Sequence, residues 1–180
     1  SVEEHLPGNC AAMLTSLHAL LGTMLEWRQP ILVAIRGQCL GGGLELAMEG
    51  PLLFVAPDAQ LGQPEIRLGV FPPAASVLLP LRIAQARAED LLYSGRSIDG
   101  LTAAAWGLAN QAATDPAAAA LAYFDAHLAD KSASSVAFGV RAAAERAQPV
   151  GDRAGMVRGE HMELAADAGA RHLPQRITDG

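Results

Sequence analysis

The sequence predicts an α/β domain whose second part is helical. Two short apolar runs, Ile31-Leu32-Val33-Ala34-Ile35 and Leu52-Leu53-Phe54-Val55-Ala56, have the length and branched character of strands covered on both faces. Between them, Gly37-Gln38-Cys39-Leu40-Gly41-Gly42-Gly43 breaks the pattern and Leu44-Glu45-Leu46-Ala47-Met48 reads as a short helix. The order strand, loop, helix, strand is the unit from which α/β folds are built. The third observation is the change of texture from Asp115, after which alanine-rich helical segments replace strands.

In chain order, apolar residues at Met13, Leu14, Leu17, Leu20, Leu21, Met24 and Leu25 recur with helical spacing, and Pro30 ends the pattern, which places a helix at about 10–28. After the second apolar run, Pro57-Asp58-Ala59 is a turn and Gln60-Leu61-Gly62 a stub of strand. An irregular loop runs from Pro64 to Pro73 and leads into helices at about 74–80 and 85–93. Ser94-Gly95-Arg96-Ser97 reads as a turn, followed by a helix at about 99–106 with Asp99 or Thr102 near its start. Asp115-Pro116 has the pattern of a capping residue followed by proline in the first helical position. Helices are expected at about 116–129, 133–147 and 151–171, within the same domain, since no Gly- or Ser-rich linker separates them.

The 180 residues, 51% hydrophobic and 18% charged, suffice for one domain with a buried core and exclude a disulfide-stapled mini-protein or a disordered chain. The net charge of -6 provides no basic field for nucleic acid or an anionic membrane. No apolar stretch has the length of a membrane span. Cys10 and Cys39 are expected to be free thiols, which fits a cytoplasmic setting. The chain opens on Ser1 with a loop-like stretch and no preceding element, so a fragment or a processed product is the expectation.

Three features carry chemistry together. Gly41-Gly42-Gly43, between a strand and a helix, lets the backbone turn tightly, and free amide hydrogens at a helix start near Gly42 suit an oxyanion. Taken alone, the triplet is as well explained by a packing turn. Glu45 follows Gly42 by three residues and shares its helix face; alone it is more simply read as favouring its own helix dipole. Gln63-Pro64-Glu65 puts a second carboxylate on a rigid, extended corner, though a solvated loop carboxylate is the simpler reading of it alone. If the two strands are neighbours, both carboxylates come to one end of the sheet beside the glycine amides. Two glutamates in one small site push their pKa values apart, leaving an acid and a base near neutral pH, which suits adding water to a double bond. The five histidines show no metal-ligand spacing, so no metal is expected.

Pro30-Ile31-Leu32-Val33-Ala34-Ile35-Arg36-Gly37, Leu40-Gly41-Gly42-Gly43-Leu44-Glu45-Leu46-Ala47-Met48 and Ala59-Gln60-Leu61-Gly62-Gln63-Pro64-Glu65-Ile66-Arg67-Leu68-Gly69 closely resemble the crotonase, or enoyl-CoA hydratase, family. Weaker matches at Leu92-Tyr93-Ser94-Gly95-Arg96-Ser97-Ile98 and Trp106-Gly107-Leu108-Ala109-Asn110 extend the resemblance over about 10–114. It implies a partial crotonase-like ββα spiral core over 1–114, lacking the family's N-terminal strands, and a helical trimerisation region over 115–180 that makes trimers or hexamers. It further implies an acyl-CoA thioester substrate and no metal or redox cofactor.

Carried onto this chain, the resemblance gives Gly42 an oxyanion-binding N–H and makes Glu45 and Glu65 the residues that activate water and deliver the proton. Leu40, Gly41, Gly43, Phe71, Pro72 and Pro73 would line the substrate. Gly69-Val70-Phe71-Pro72-Pro73-Ala74-Ala75-Ser76 looks most like the hydratases that act on cyclohexa-1,5-diene-1-carbonyl-CoA in anaerobic aromatic degradation, giving 6-hydroxycyclohex-1-ene-1-carbonyl-CoA. The alternatives are a general enoyl-CoA hydratase or isomerase and a non-catalytic CoA-ester-binding fragment. Two departures from the family pattern stand out. Pro72-Pro73-Ala74-Ala75-Ser76 replaces a Pro-Gly-Ala-Gly-Gly type segment, and the loop that supplies the second oxyanion N–H would lie before Ser1.

Overall fold

In the computed structural model the described residues are 10–147. The opening helix, α1 (Cys10–Glu26), leads into β1 (Leu32–Ile35), β2 (Gln38–Leu40), α2 (Gly42–Glu49), β3 (Leu52–Val55) and β4 (Gln60–Gly62). A 3-10 segment (Pro64–Leu68) follows, then α3 (Pro73–Ile83), α4 (Gln85–Ser94), β5 (Ser97–Asp99), α5 (Gly100–Trp106), β6 (Gln111–Ala112), α6 (Pro116–His127) and α7 (Ala133–Ala147).

The strands form two small sheets. In the first, β1 and β3 pair in parallel from Leu32 opposite Leu52 to Ile35 opposite Val55, and β6 adds to the far side of β3. In the second, β2 and β4 pair in parallel, and β5 joins β4 antiparallel. Each successive pair of strands therefore adds one strand to each sheet, which is the ββα spiral that the resemblance implies. The core lies between the sheets and α2 to α5, around Leu44, Met48, Leu53, Val55, Leu61, Leu79, Ile83, Leu91 and Leu108.

Several sequence expectations change. The glycine-broken stretch contains a strand, β2, because its backbone pairs with β4 although its composition does not suggest a strand. The turn at Ser94–Ser97 closes into β5, and β6 arises only through its two-residue pairing with β3. The irregular loop after Gln63 begins as the 3-10 segment, and α3 runs to Ile83 with Pro80 inside it. Cover on both faces holds for β3 but not for β1, where Ala34 is exposed because β1 is an edge strand.

Two caps are as expected: Asp99 accepts from the Thr102 amide at 2.7 Å and Asp115 from the Ala118 amide at 3.0 Å. Helix α6 packs on β1 and β3, where Tyr123 meets Phe54 with ring centroids 5.5 Å apart. The helix expected at about 151–171 lies outside the described residues. No helix among the described residues is long and apolar enough to cross a membrane.

Candidate functional site

The two apolar strands, β1 and β3, are neighbours as the sequence argument supposed, and the site itself grows from the adjoining pairing of β2 with β4. Gly41 extends β2 by one residue, donating its N–H to the Gly62 carbonyl at 3.0 Å, and its own carbonyl accepts the Leu44 and Glu45 amides that open α2. It turns from strand to helix at φ 56°, ψ -131°, a backbone region that is essentially glycine's alone. Its missing side chain matters in space as well: a Cβ on Gly41 would collide with the Glu65 carboxylate. Glu65 thus lies directly against the backbone that starts α2. The Gly42 and Gly43 amides sit in that first turn, ahead of the first intrahelical acceptor and at the positive end of the helix.

Glu45 is 6% exposed. Its carboxylate does not serve the start of its own helix, the simpler sequence reading. It crosses to α3, where Oε1 accepts the Ala75 amide at 2.9 Å. Pro72 and Pro73 begin α3 without a side-chain cap, so Glu45 satisfies an amide that no local side chain reaches. Burial raises the Glu45 pKa, and the hydrogen bonds from the Ala75 and Ala74 amides oppose that rise without cancelling it. The carboxyl is fixed in place yet poised to hold a proton closer to neutrality than an ordinary glutamate.

Glu65 is half-buried, and the fully buried Gln63 holds it: oriented to satisfy both groups, the Gln63 amide nitrogen donates to Glu65 Oε2 at 3.0 Å and Oε1 at 3.2 Å. Gln63 was legible as a neighbour of Pro64 but not as a partner of Glu65. A polar residue directly preceding the Pro64–Glu65 corner was the available signal. The other expected lining residues divide. Leu40 is half-buried, Gly43 exposed, Pro72 buried and Pro73 half-buried. Phe71 is exposed, as are Ile66, Leu68 and Val70, leaving an apolar rim along the segment that follows Glu65.

A separate apolar cleft, bounded by Leu20, Met24, Val33, Ile35, Cys39 and Leu46, opens beside β1. It takes in Gly43, Leu46 and Ala47 of α2, whereas Gly42, Glu45 and Glu49 share another face of the helix, so it holds neither carboxylate. Burial pushes the Cys39 thiol up to about 11, which leaves it a poor nucleophile. Among the described residues no group of three or more His, Cys, Asp and Glu side chains gathers to hold a metal ion.

The enoyl-CoA hydratase/isomerase family model matches residues 4–153. The chain belongs to that family. It is 65% identical over 143 residues to a cyclohexa-1,5-dienecarbonyl-CoA hydratase of Thauera aromatica, a match that covers 79% of this chain and 55% of the relative. It is 32% identical over 126 residues to a carnitinyl-CoA dehydratase of Proteus mirabilis, covering 69% of this chain and 47% of the relative. The chain thus spans about half the length of the curated relatives it matches. The crystal structure of an enoyl-CoA hydratase/isomerase from Mycobacterium paratuberculosis superposes with a TM-score of 0.74 at 21% identity, over 91% of this chain and 63% of that one. That likeness establishes the crotonase-type fold.

Proposed function

We propose that the chain carries the water-adding site of a hydratase for conjugated dienoyl-CoA thioesters, with cyclohexa-1,5-diene-1-carbonyl-CoA as substrate. The observation that carries this reading is the clamp around Gly41: β2–β4 pairing sets the Glu65 carboxylate against the turn whose next residues are the Gly42 amide and Glu45. Adding water to a conjugated thioester puts hydroxide on one carbon and a proton on another, with negative charge passing to the thioester oxygen. The Gly42 N–H, at the positive end of α2, is the donor for that oxygen, a type of interaction worth about 2.7–4 kcal/mol. Glu45 and Glu65 hold the water between them, one taking its proton and the other supplying the proton to carbon. The proton taken by the first carboxyl passes back to the second, directly or through solvent, before the next turnover. The water is consumed and no electrons change hands, so the step needs no redox cofactor, and the two carboxyls do the proton work without a metal.

The ring substrate is supported by the 65% identical relative and by the local structure after Glu65. Pro73 has no amide hydrogen and Pro72 is buried, while Phe71 and Val70 offer exposed apolar side chains on the segment that follows Glu65. The named dehydratase relative supports water chemistry on a CoA thioester. Exposed Leu121 and Phe124 on α6 and Phe138 on α7 support packing of the helical region against sister subunits, as a homotrimer or hexamer. A cytoplasmic setting for the reaction is supported by the free Cys39 thiol.

Incubation of the protein with cyclohexa-1,5-diene-1-carbonyl-CoA and with crotonyl-CoA tests the reading. Hydration of the cyclic substrate, with crotonyl-CoA turned over more slowly, supports it. Preference for crotonyl-CoA favours a general hydratase, and binding of both esters without turnover defeats the catalytic reading.

A further inference from the structure

Glu49 sits four residues after Glu45 and therefore one turn along the same face of α2. Its Oε1 is buried and has no hydrogen-bond partner among the described residues. A carboxylate oxygen left dry and unpaired is costly, whereas a protonated carboxyl tolerates such a place. The nearby cation relieves it only in part, through space. Arg82 of α3 commits its Nη2 to the Met48 and Gly50 carbonyls at the end of α2, the latter at 2.6 Å, and no ion pair among the described residues joins it to Glu49.

We propose that Glu49 is a proton-holding neighbour that sets the charge on Glu45, a positioning role for a residue placed away from the substrate. The inference rests on the hydratase reading for its catalytic consequence, but not for the coupling itself. Burial pushes Glu49 up to about 7; Arg82 works against that rise and the Glu45 charge adds to it. The elements packed on α2 bring few other groups: α3 contributes Arg82, β2 carries Cys39, the 3-10 segment sets Glu65 against Gly41 at the start of the helix, and the described ionisable side chain of α1 is exposed Glu26. With Glu49 neutral, the pair carries a single negative charge, on Glu45, where it can act on water. When Glu49 ionises, it makes Glu45 hold its proton more tightly. The effect is reciprocal, because one coupling free energy links the two groups.

Carbon-13 NMR titration of the glutamate carboxyls in the wild-type chain, Glu49→Gln and Glu45→Gln tests the coupling without any substrate. The wild type is expected to show a carboxyl signal titrating near 7 that disappears in Glu49→Gln. In Glu45→Gln the Glu49 midpoint should move to lower pH, and in Glu49→Gln the alkaline part of the Glu45 titration should vanish. Identical midpoints for each carboxyl with and without the other overturn the proposal. Glu49→Met, which also lacks the proton, supplies the comparison where Glu49→Gln fails to fold.

With the cyclic dienoyl-CoA, Glu49→Gln should shift one limb of the kcat/KM pH profile by about one unit while KM at neutral pH stays put. A merely structural role would lower Tm without moving the limb, and that result also overturns the proposal. Absence of turnover by the wild type defeats the hydratase reading instead and leaves the NMR result to decide on Glu49.

Discussion

The two carboxylates of the site are held in opposite ways. Glu45 stands in an α-helix, is buried, and is fixed by backbone amides at the start of the neighbouring helix α3. Glu65 stands in a 3-10 segment, is half-buried, and takes a side-chain amide, that of Gln63, as a partner. A backbone clamp persists when side chains change; a side-chain clamp is lost by one substitution. The contrast gives the pair an asymmetric character, with a desolvated carboxyl of raised pKa beside one that is more accessible and supported by a replaceable partner.

The largest effect should come from removing either of the two carboxyls proposed to carry protons. Glu45→Gln and Glu65→Gln are each expected to lower kcat for hydration by roughly 10²–10⁴, measured with the cyclic dienoyl-CoA. Because a glutamine at 45 still presents an oxygen to the Ala75 amide, Glu45→Gln should fold with near-normal Tm, whereas Glu45→Leu should lower it. Glu65→Gln should spare an isomerisation that needs one base; equal loss of both activities would count against separate roles.

Gly41→Ala tests the ground that both carboxylates share. A side chain there meets both the positive φ and the Glu65 carboxylate, so a stability loss of about 1–3 kcal/mol by chemical denaturation is expected. Activity should fall further than stability accounts for, since Glu65 must move. Wild-type stability and activity in Gly41→Ala would show that the turn is not a constraint.

Gln63→Leu tests the weaker clamp. It keeps volume in a fully buried place but removes the amide that Gln63 offers Glu65, and roughly a tenfold drop in kcat with little change in KM is expected. An unchanged kcat would mean that Gln63 does not position Glu65.

The smallest effect belongs to the buried end of α2. The folded-state pKa of Glu49, about 7, exceeds its ordinary value of 4.5. Between those values the folded chain keeps a proton that the unfolded chain has released, so this group makes stability fall as pH rises through the window. Thermal unfolding at pH 5 and pH 7.5 should show a pH-dependent loss in the wild type that is smaller in Glu49→Gln, by about 1–2 kcal/mol. Equal pH dependence in the two proteins would place Glu49 in water.

The elements that burial and periodicity mark were readable from the residues alone: α1, β1, β3, α5 and the capped start of α6 all fall close to their expected places. What escaped was structure created by pairing. The strand β2 has glycine on one side and a turn on the other, and β5 and β6 are three and two residues long, so only their partners make them strands. The site followed the same division. Gly41, Glu45 and Glu65 stood out by type and spacing, but the reach of Glu45 to Ala75, thirty residues later, and the hold of Gln63 on Glu65 depend on tertiary geometry that no local pattern records.

The central claim is that Glu45 and Glu65, though held so differently, act as one unit on a single water molecule. A double-mutant cycle on kcat for cyclohexa-1,5-diene-1-carbonyl-CoA tests it most directly. If the claim holds, the Glu45→Gln/Glu65→Gln double variant is slower than the worse single variant by only a few-fold, because either loss already disables the unit. Losses that multiply, each carboxyl contributing its full factor independently, would contradict it.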